Sequence, residues 1–219
     1  MGRRMRDLLA QAGTADYPLA PGLTLLRHYL EEAAQRALVS EIAEIVALAP
    51  WFFPCMPRSG RVFSVKMTNC GRLGWVSDRE GGYRYQATHP GSGAPWPSIP
   101  ESVLSIWRAV ASYPHLPEAC LVNFYDCGAR MGLHQDKDEA ELEAPVVSIS
   151  LGDSCSFRYG GLRRADPSQK LELRSGDVIV MGGPARLIFH GVEKIYPKTS
   201  DLLPGGGRIN LTLRRVTRP

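Results

Sequence analysis

Apolar residues recur along this chain with two different periods, and the change of period organises it. Between residues 31 and 49 the apolar positions Ala34, Leu38, Ile42 and Ile45 are spaced by four, four and three, drawing one stripe down a helix that Pro50 closes. A second stripe, Val103, Ile106 and Val110, follows Ser98 and Glu101, which have the spacing of a capping box around Pro100, and Pro114 and Pro117 end it. Beyond residue 119 the period falls to two. Strands are predicted at 119–125, 130–134, 146–151, 155–159, 171–174, 178–181, 187–190 and 208–215, between turns rich in Gly, Asp and Pro. Upstream, 23–29 reads as a strand, and the Gly- and Pro-rich region 51–96 has strand-like pieces at 62–67 and 83–85 with turns around Gly71, Gly81 and Gly82. Residues 1–22 read as a surface leader with one helical turn at 6–12. These elements imply an α+β, mainly β chain: an antiparallel sandwich or jelly roll with two helices packed outside.

A chain of 219 residues that is 44% hydrophobic can bury one substantial core and is short for two full domains. We divide it into the leader 1–22, a helical and aromatic region 23–115, and a strand domain 116–217. The net charge of +4 permits a polyanionic partner without demanding one. Five scattered cysteines with no C-x-x-C spacing suggest reduced thiols, not a disulfide framework or a structural zinc site. No apolar run is long enough to span a bilayer and no secretory signal is evident, so a cytoplasmic location is expected. Nothing points to an obligate protein partner, and a monomer suits the size.

Candidate chemistry centres on H-Q-D at residues 134–136. On an extended strand His134 and Asp136 share a face, where an imidazole and a carboxylate can bind one cation while Gln135 points away. His190, at the end of the apolar run 187–190, is the candidate third ligand, and two histidines with one carboxylate form the facial arrangement of non-heme Fe(II) oxygenases. Alone, the H-Q-D triplet equally suits a surface loop, because Lys137, Asp138 and Glu139 follow it; His190 alone equally suits a core histidine bonded to a carbonyl. The run R-I-N-L-T-L-R (208–214) adds weight. Alternation sets Arg208, Asn210, Thr212 and Arg214 on one face and Ile209, Leu211 and Leu213 on the other. An exposed strand would look the same, but two arginines after a third metal ligand also suit a dicarboxylate, which guanidinium grips through paired hydrogen bonds. Asn123 and Tyr125 could add polar contacts from the strand before H-Q-D, although Tyr125 also suits the core.

The segments M-T-N-C-G-R-L-G-W (67–75), P-W-P (95–97), N-F-Y (123–125), L-H-Q-D-K-D-E (133–139), V-S-I-S-L-G (147–152), Y-G-G-L-R-R-A-D-P (159–167), F-H-G (189–191) and R-I-N-L-T-L-R resemble, in order, the bacterial AlkB family of Fe(II)- and 2-oxoglutarate-dependent nucleic-acid dealkylases. The resemblance implies a double-stranded β-helix with outer helices, a nucleotide-recognition lid within 23–115 and a dioxygenase domain at 116–217. It implies that His134, Asp136 and His190 bind Fe(II) and form the catalytic centre, with 2-oxoglutarate and dioxygen as cosubstrates. Arg208 would take the distal carboxylate of 2-oxoglutarate, near Asn210 and Tyr125; Arg214 and Asn123 would serve the metal-chelated end, and Phe124 and Thr212 complete the cosubstrate segments. Trp75 would stack on a flipped or single-stranded base opposite His134, and Asp138 would accept from its exocyclic amine. Tyr83, Arg84, Tyr85 and Arg164 would contact nucleic acid. The implied reaction hydroxylates an N-methyl group of 1-methyladenine or 3-methylcytosine type in DNA, the hemiaminal collapses to formaldehyde and the repaired base, and 2-oxoglutarate leaves as succinate and carbon dioxide. The same chemistry on methylated RNA or tRNA is the alternative. The sequence departs from the family at Met181, where the best-known bacterial relatives carry a large aromatic residue, and at Gly81-Gly82, which adds one residue to the lid.

Overall fold

The computed structural model describes residues 16–219, so the helical turn expected at 6–12 lies outside the described residues. In chain order the elements are β1 (Asp16–Ala20), β2 (Leu23–Leu26), α1 (Glu32–Leu48), β3 (Lys66–Gly71), β4 (Gly74–Asp78), β5 (Gly82–Gln86), α2 (Glu101–Val110), β6 (Ala119–Tyr125), β7 (Met131–His134), β8 (Val146–Gly152), β9 (Ser154–Tyr159), β10 (Gln169–Leu173), β11 (Val178–Met181), β12 (His190–Tyr196) and β13 (Arg208–Arg214). They form a seven-stranded sheet in the order β1-β2-β11-β8-β13-β6-β3, a four-stranded sheet in the order β10-β9-β12-β7, and a separate β4-β5 hairpin. Every pairing is antiparallel.

Strand alternation makes three layers of this. The outward face of the large sheet, including Cys120, Val122, Ile149, Ile209, Leu211 and Leu213, is buried under Leu38, Ile42 and Ile45 of α1 and Val103, Ile106 and Trp107 of α2. Its inward face packs Leu121, Tyr125, Ile179 and Met181 against Phe157, Tyr159, Val192 and Ile195 of the small sheet. This two-sheet body with helices on one side is the expected jelly-roll arrangement. It gives the polar face of β13 its setting: with the apolar side turned to the helices, Arg208, Asn210, Thr212 and Arg214 face the space between the sheets.

Several expected elements differ. Residues 16–20 are not loose leader; they pair with β2 and extend the large sheet at its edge. The strand expected at 62–67 begins at Lys66 and runs to Gly71, because its ladder partner is β6, with Lys66 opposite Phe124 and Cys70 opposite Cys120. Ser98 does not cap α2, whose N-cap is Pro100 with no side-chain hydrogen bond. Residues 187–189 are not strand; β12 starts at His190 and continues to Tyr196, and β4 was not anticipated at all.

The apolar side of β13 sets a clear expectation. Leu211 is fully buried between β8 and β6, so Leu211→Ala should cost about 2–5 kcal/mol through lost contacts and the cavity left behind. Urea denaturation would read this as a lower midpoint at unchanged slope.

Candidate metal and cosubstrate site

Two strands of the small sheet bring the histidines together. His134 ends β7 and His190 opens β12, and the two are register partners, with ring centroids 4.5 Å apart. The ladder then shifts: Gly191 alone faces Gly132 and Leu133 before Val192 meets Met131. A Cβ at Gly191 would lie 2.5 Å from the carbonyl oxygen of Met131 and 2.8 Å from that of Gly132, so glycine permits the approach that sets both imidazoles on one spot. Asp136 lies two residues past the end of β7, not within it, and reaches the same point from irregular chain. Gln135 turns away as expected and ties this segment down by donating to the carbonyls of Leu187 (2.6 Å) and Leu162 (3.3 Å).

The donor atoms converge. His134 Nε2 is 3.6 Å from Asp136 Oδ1, His190 Nε2 is 3.8 Å from Asp136 Oδ2, and one ligand atom from each residue lies within 4.8 Å of the others. Each imidazole has its Nδ1 on a backbone carbonyl, His134 on Gly132 (2.9 Å) and His190 on Ile188 (3.1 Å). A carbonyl only accepts, so Nδ1 carries a proton in each ring and Nε2 is the atom turned to the shared point, the arrangement that readies histidine for a metal. Burial, helped by the neighbouring His134, pushes His190 down from its ordinary 6.5 to about 4, which keeps the ring neutral near pH 7. Burial opposes ionisation of Asp136, but Arg214 and the two imidazoles outweigh it and hold the carboxyl far below the usual range. Arg214 donates twice to Oδ2, at 2.8 and 3.1 Å, which leaves Oδ1 free of that guanidinium.

Behind the triad is a cavity of about 60 Å³, several times the roughly 10–15 Å³ that a single water needs, lined by Asn123, Tyr125, Ser148, Met181, Arg208 and Asn210 among others. Arg208 is 1% exposed. Its Nη2 donates to Ser150 Oγ (2.6 Å) and its Nη1 to the Asp153 carbonyl (3.3 Å), while Nε has no partner. No carboxylate lies within 4 Å of it among the described residues, in contrast to Arg214, which has Asp136 and Glu139. Among the described residues, Asn123 Oδ1 is the other buried side-chain atom without a hydrogen-bond partner. A buried guanidinium without an anion is costly, so the site calls for a small carboxylate ligand, and two imidazole nitrogens with one carboxylate oxygen fit Fe(II) beside it. Burial pushes the Tyr125 phenol up, so its hydroxyl stays protonated and able to donate. Asn210 and Thr212 are occupied within the sheet: Asn210 Nδ2 donates to Ser148 Oγ (2.8 Å) and the Ile149 carbonyl (3.1 Å), and Thr212 donates to Asn210 Oδ1 (2.9 Å).

Not every expected residue faces this space. Phe124 is a correction: on a strand whose odd-numbered residues face the cavity it points outward, packing near Trp51 at 5.9 Å under the Lys66 ammonium. Trp75, on β4, donates from Nε1 to Asp138 Oδ2 (2.9 Å), and its ring stacks on the exposed ring of Tyr83 at 5.6 Å. Tyr83 is thus exposed, whereas Trp75 is half-buried, packed against the inner core with its ring edge-on to Phe63 at 6.4 Å. Tyr85 is a second correction, since its hydroxyl turns inward and donates to Glu139 Oε1. Arg84 is engaged by Asp78 (2.7 Å) and Gln86, and Arg164 lies exposed over the Phe189 ring. Sequence reasoning missed two residues: Glu139, within the H-Q-D-K-D-E run, and Arg186, for which there was no periodic signal. Arg186 donates to the backbone carbonyl of Asp136 (2.6 Å) and to Glu139 Oε2 (3.0 Å). Met181 is buried at the cavity wall, Gly81 sits in the turn that closes the β4-β5 hairpin, and Gly82 opens β5 opposite Asp78.

Fold and donor set together define an iron- and 2-oxoglutarate-type oxygenase, and the family model described as the 2OG-Fe(II) oxygenase superfamily matches residues 22–214. The chain is 51% identical over 198 residues to an alpha-ketoglutarate-dependent dioxygenase AlkB homolog of Caulobacter vibrioides, covering 90% of this chain and 89% of that protein. It is 42% identical over 220 residues to the alpha-ketoglutarate-dependent dioxygenase AlkB of Escherichia coli K12, covering 97% and 98%. The solved structure of OsALKBH1 superposes with a TM-score of 0.78 at 35% identity, over 92% of this chain and all of that one. The chain belongs to the AlkB family of 2OG-Fe(II) oxygenases, whose chemistry uses Fe(II), 2-oxoglutarate and dioxygen. Among the described residues no helix is long and apolar enough to cross a membrane.

A proton inventory of the metal-free protein follows from His190. Its folded pKa, about 4, lies below the ordinary 6.5, so the unfolded chain binds more protons between these values and stability should rise as pH is raised through that window. Chemical denaturation from pH 4 to 7 should show the rise, and His190→Asn should flatten it.

Proposed function

We propose that this protein removes methyl groups from ring nitrogens of nucleic-acid bases, of the 1-methyladenine and 3-methylcytosine type, in DNA. The observation that carries this reading is the contact of the Trp75 indole with the Asp138 carboxylate, two residues beyond Asp136, beside a His/Asp/His centre with a buried, anion-free arginine. A methyl group on a pairing nitrogen cannot be reached inside a duplex, so the base must be flipped or single-stranded. Such a base is cationic when the pairing nitrogen is alkylated. An indole face attracts a cation by roughly 0.5–2 kcal/mol more than an uncharged ring, and a nearby carboxylate adds to it. Asp138 is exposed and therefore available to an exocyclic amine once its indole bond is exchanged.

His134, Asp136 and His190 would hold the metal, with Arg208 and Tyr125 gripping the distal carboxylate of 2-oxoglutarate and Asn123 near the other end. Fe(II), 2-oxoglutarate and dioxygen, held there, would supply the oxidising equivalents, one oxygen atom leaving in succinate with release of carbon dioxide and the other entering the methyl C–H bond. The hemiaminal then breaks to formaldehyde and the unmodified base. The chain's own part is placement: Arg214 fixes the metal carboxylate, the two carbonyls orient the imidazoles, and Met181, Phe157 and Leu173 give the cavity an apolar wall.

With Fe(II), 2-oxoglutarate and a 1-methyladenine or 3-methylcytosine oligonucleotide, the purified protein should release formaldehyde in step with succinate. No formaldehyde, in a tube where a known dealkylase releases it, would refute the reading; faster turnover of a matched RNA lesion in competition would transfer it to RNA. Arg208→Lys keeps the charge but loses the planar fork, so the KM for 2-oxoglutarate should rise by about tenfold or more, roughly 1.4 kcal/mol. Steady-state kinetics at saturating oligonucleotide would measure it.

A further inference from the structure

The β4-β5 hairpin is two strands only, and a two-stranded ribbon is marginal on its own. Asn69 and Trp96 hold its backbone and Ser77 bonds to Cys55, and a pair of side-chain hydrogen bonds joins its face to consecutive residues of the metal loop. Trp75 reaches Asp138, and Tyr85, its direct partner across the ribbon, reaches Glu139. Glu139 is no ordinary acceptor. Its carboxylate is 2% exposed and lies between two buried arginines: Arg186 at 3.0 Å, which also holds the Asp136 carbonyl, and Arg214 at 3.4 Å, which also holds the Asp136 carboxylate. An unbroken chain of hydrogen bonds and ion pairs therefore runs from the hairpin, through Tyr85, Glu139 and Arg214, to the carboxylate of the metal triad.

We infer that Tyr85 is a positioning residue that couples engagement of a base at the hairpin to the orientation of Asp136, with Glu139 and Arg186 as its fixed intermediaries. The inference rests on the reading that the hairpin receives a base. The physical ground is the stiffness of the chain. Glu139, Arg186 and Arg214 are buried and each holds at least two partners, so a shift passed on through the Tyr85 hydroxyl cannot be absorbed by one loose side chain; Glu139 must follow the hydroxyl, and the two arginines must follow Glu139. Trp75, opposite Tyr85, is the hairpin residue placed to feel a stacked base. Docked, the network holds Asp136 in one orientation; with Tyr85 released, cosubstrate turnover and base delivery are no longer tied together.

The test uses the full chain with Co(II) in place of iron, whose ligand-field absorption reports the metal ligands without turnover. A methylated oligonucleotide should shift the Co(II) band of the wild type in the presence of 2-oxoglutarate. Tyr85→Phe removes one hydroxyl and keeps the ring. It should bind Co(II) and 2-oxoglutarate within about twofold of wild type, yet lose the oligonucleotide-induced shift. With iron, its ratio of succinate to formaldehyde should rise at least about threefold above the wild-type ratio near one. Glu139→Gln, which keeps an acceptor for the tyrosine but removes the charge between the arginines, should alter the Co(II) band before any oligonucleotide is added. A purely structural role would lower the melting temperature and leave band and ratio alone. Wild-type band, shift and ratio in both variants would overturn the inference, as would a wild-type band indifferent to bound oligonucleotide. A wild type that responds in its Co(II) band but releases no formaldehyde would sink the demethylation reading while leaving the coupling standing.

Discussion

The contact on which the site depends is the double donation of Arg214 to one oxygen of Asp136. Buried ion pairs are weak sources of net stability, since desolvation of both partners offsets most of their attraction; their value is geometric. Here the arginine holds Oδ2, which also lies 3.8 Å from His190, and leaves Oδ1 facing His134. The lone carboxylate of a triad could otherwise turn, sharing both oxygens or neither with the metal. Glu139 and Arg186 serve the same end one step back, because an arginine shared between two carboxylates cannot follow one of them without leaving the other.

That network could form because strand alternation separates the two faces of one sheet so completely. β13 and β6 lie side by side in the large sheet, flanked by β8 and β3, and their odd and even residues divide between helices and cavity. The apolar side is spent on a core with α1 and α2. The polar side therefore costs little to keep, provided each polar group finds a partner: Asn210 and Thr212 find theirs in the sheet, Arg214 in Asp136 and Glu139, and Arg208 only in part. The residue left short is the one best placed to receive a ligand.

Much of this was legible in the sequence, and the reasons are physical. Period-two alternation in R-I-N-L-T-L-R and N-F-Y fixed faces as soon as those segments were strands, and the helical stripes of α1 and α2 landed in the core as drawn. The metal triad was legible because few residue types bind iron. What escaped was set by tertiary contact. Ser98 loses the α2 cap to Pro100, β12 continues past His190 because β9 offers it a ladder, and β4 exists because β5 pairs with it. Phe124 shows the limit of reading by segment: resemblance placed the whole of N-F-Y at the cosubstrate, whereas alternation, applied residue by residue, would have sent the middle member outward. Tyr85 and Arg186 were beyond reach, since each takes its meaning from Glu139, far away in sequence.

Charge distinguishes the two arginines of β13 more sharply than position does. Six residues of strand, about 20 Å at the usual rise, separate their backbones, yet both side chains enter one cavity. Arg214, with Arg186, is balanced by Asp136 and Glu139, so the metal end of the cavity is neutral before a cation arrives. Arg208 leaves the far end positive. A divalent metal held at one end would join the Arg208 guanidinium at the other to make two positive ends that a dianion could bridge, whereas a monoanion would leave one end uncompensated. A preference for a dicarboxylate would follow from where the protein supplies countercharge and where it withholds it. Arg208 can do that work only because no carboxylate of the described chain comes within reach of it.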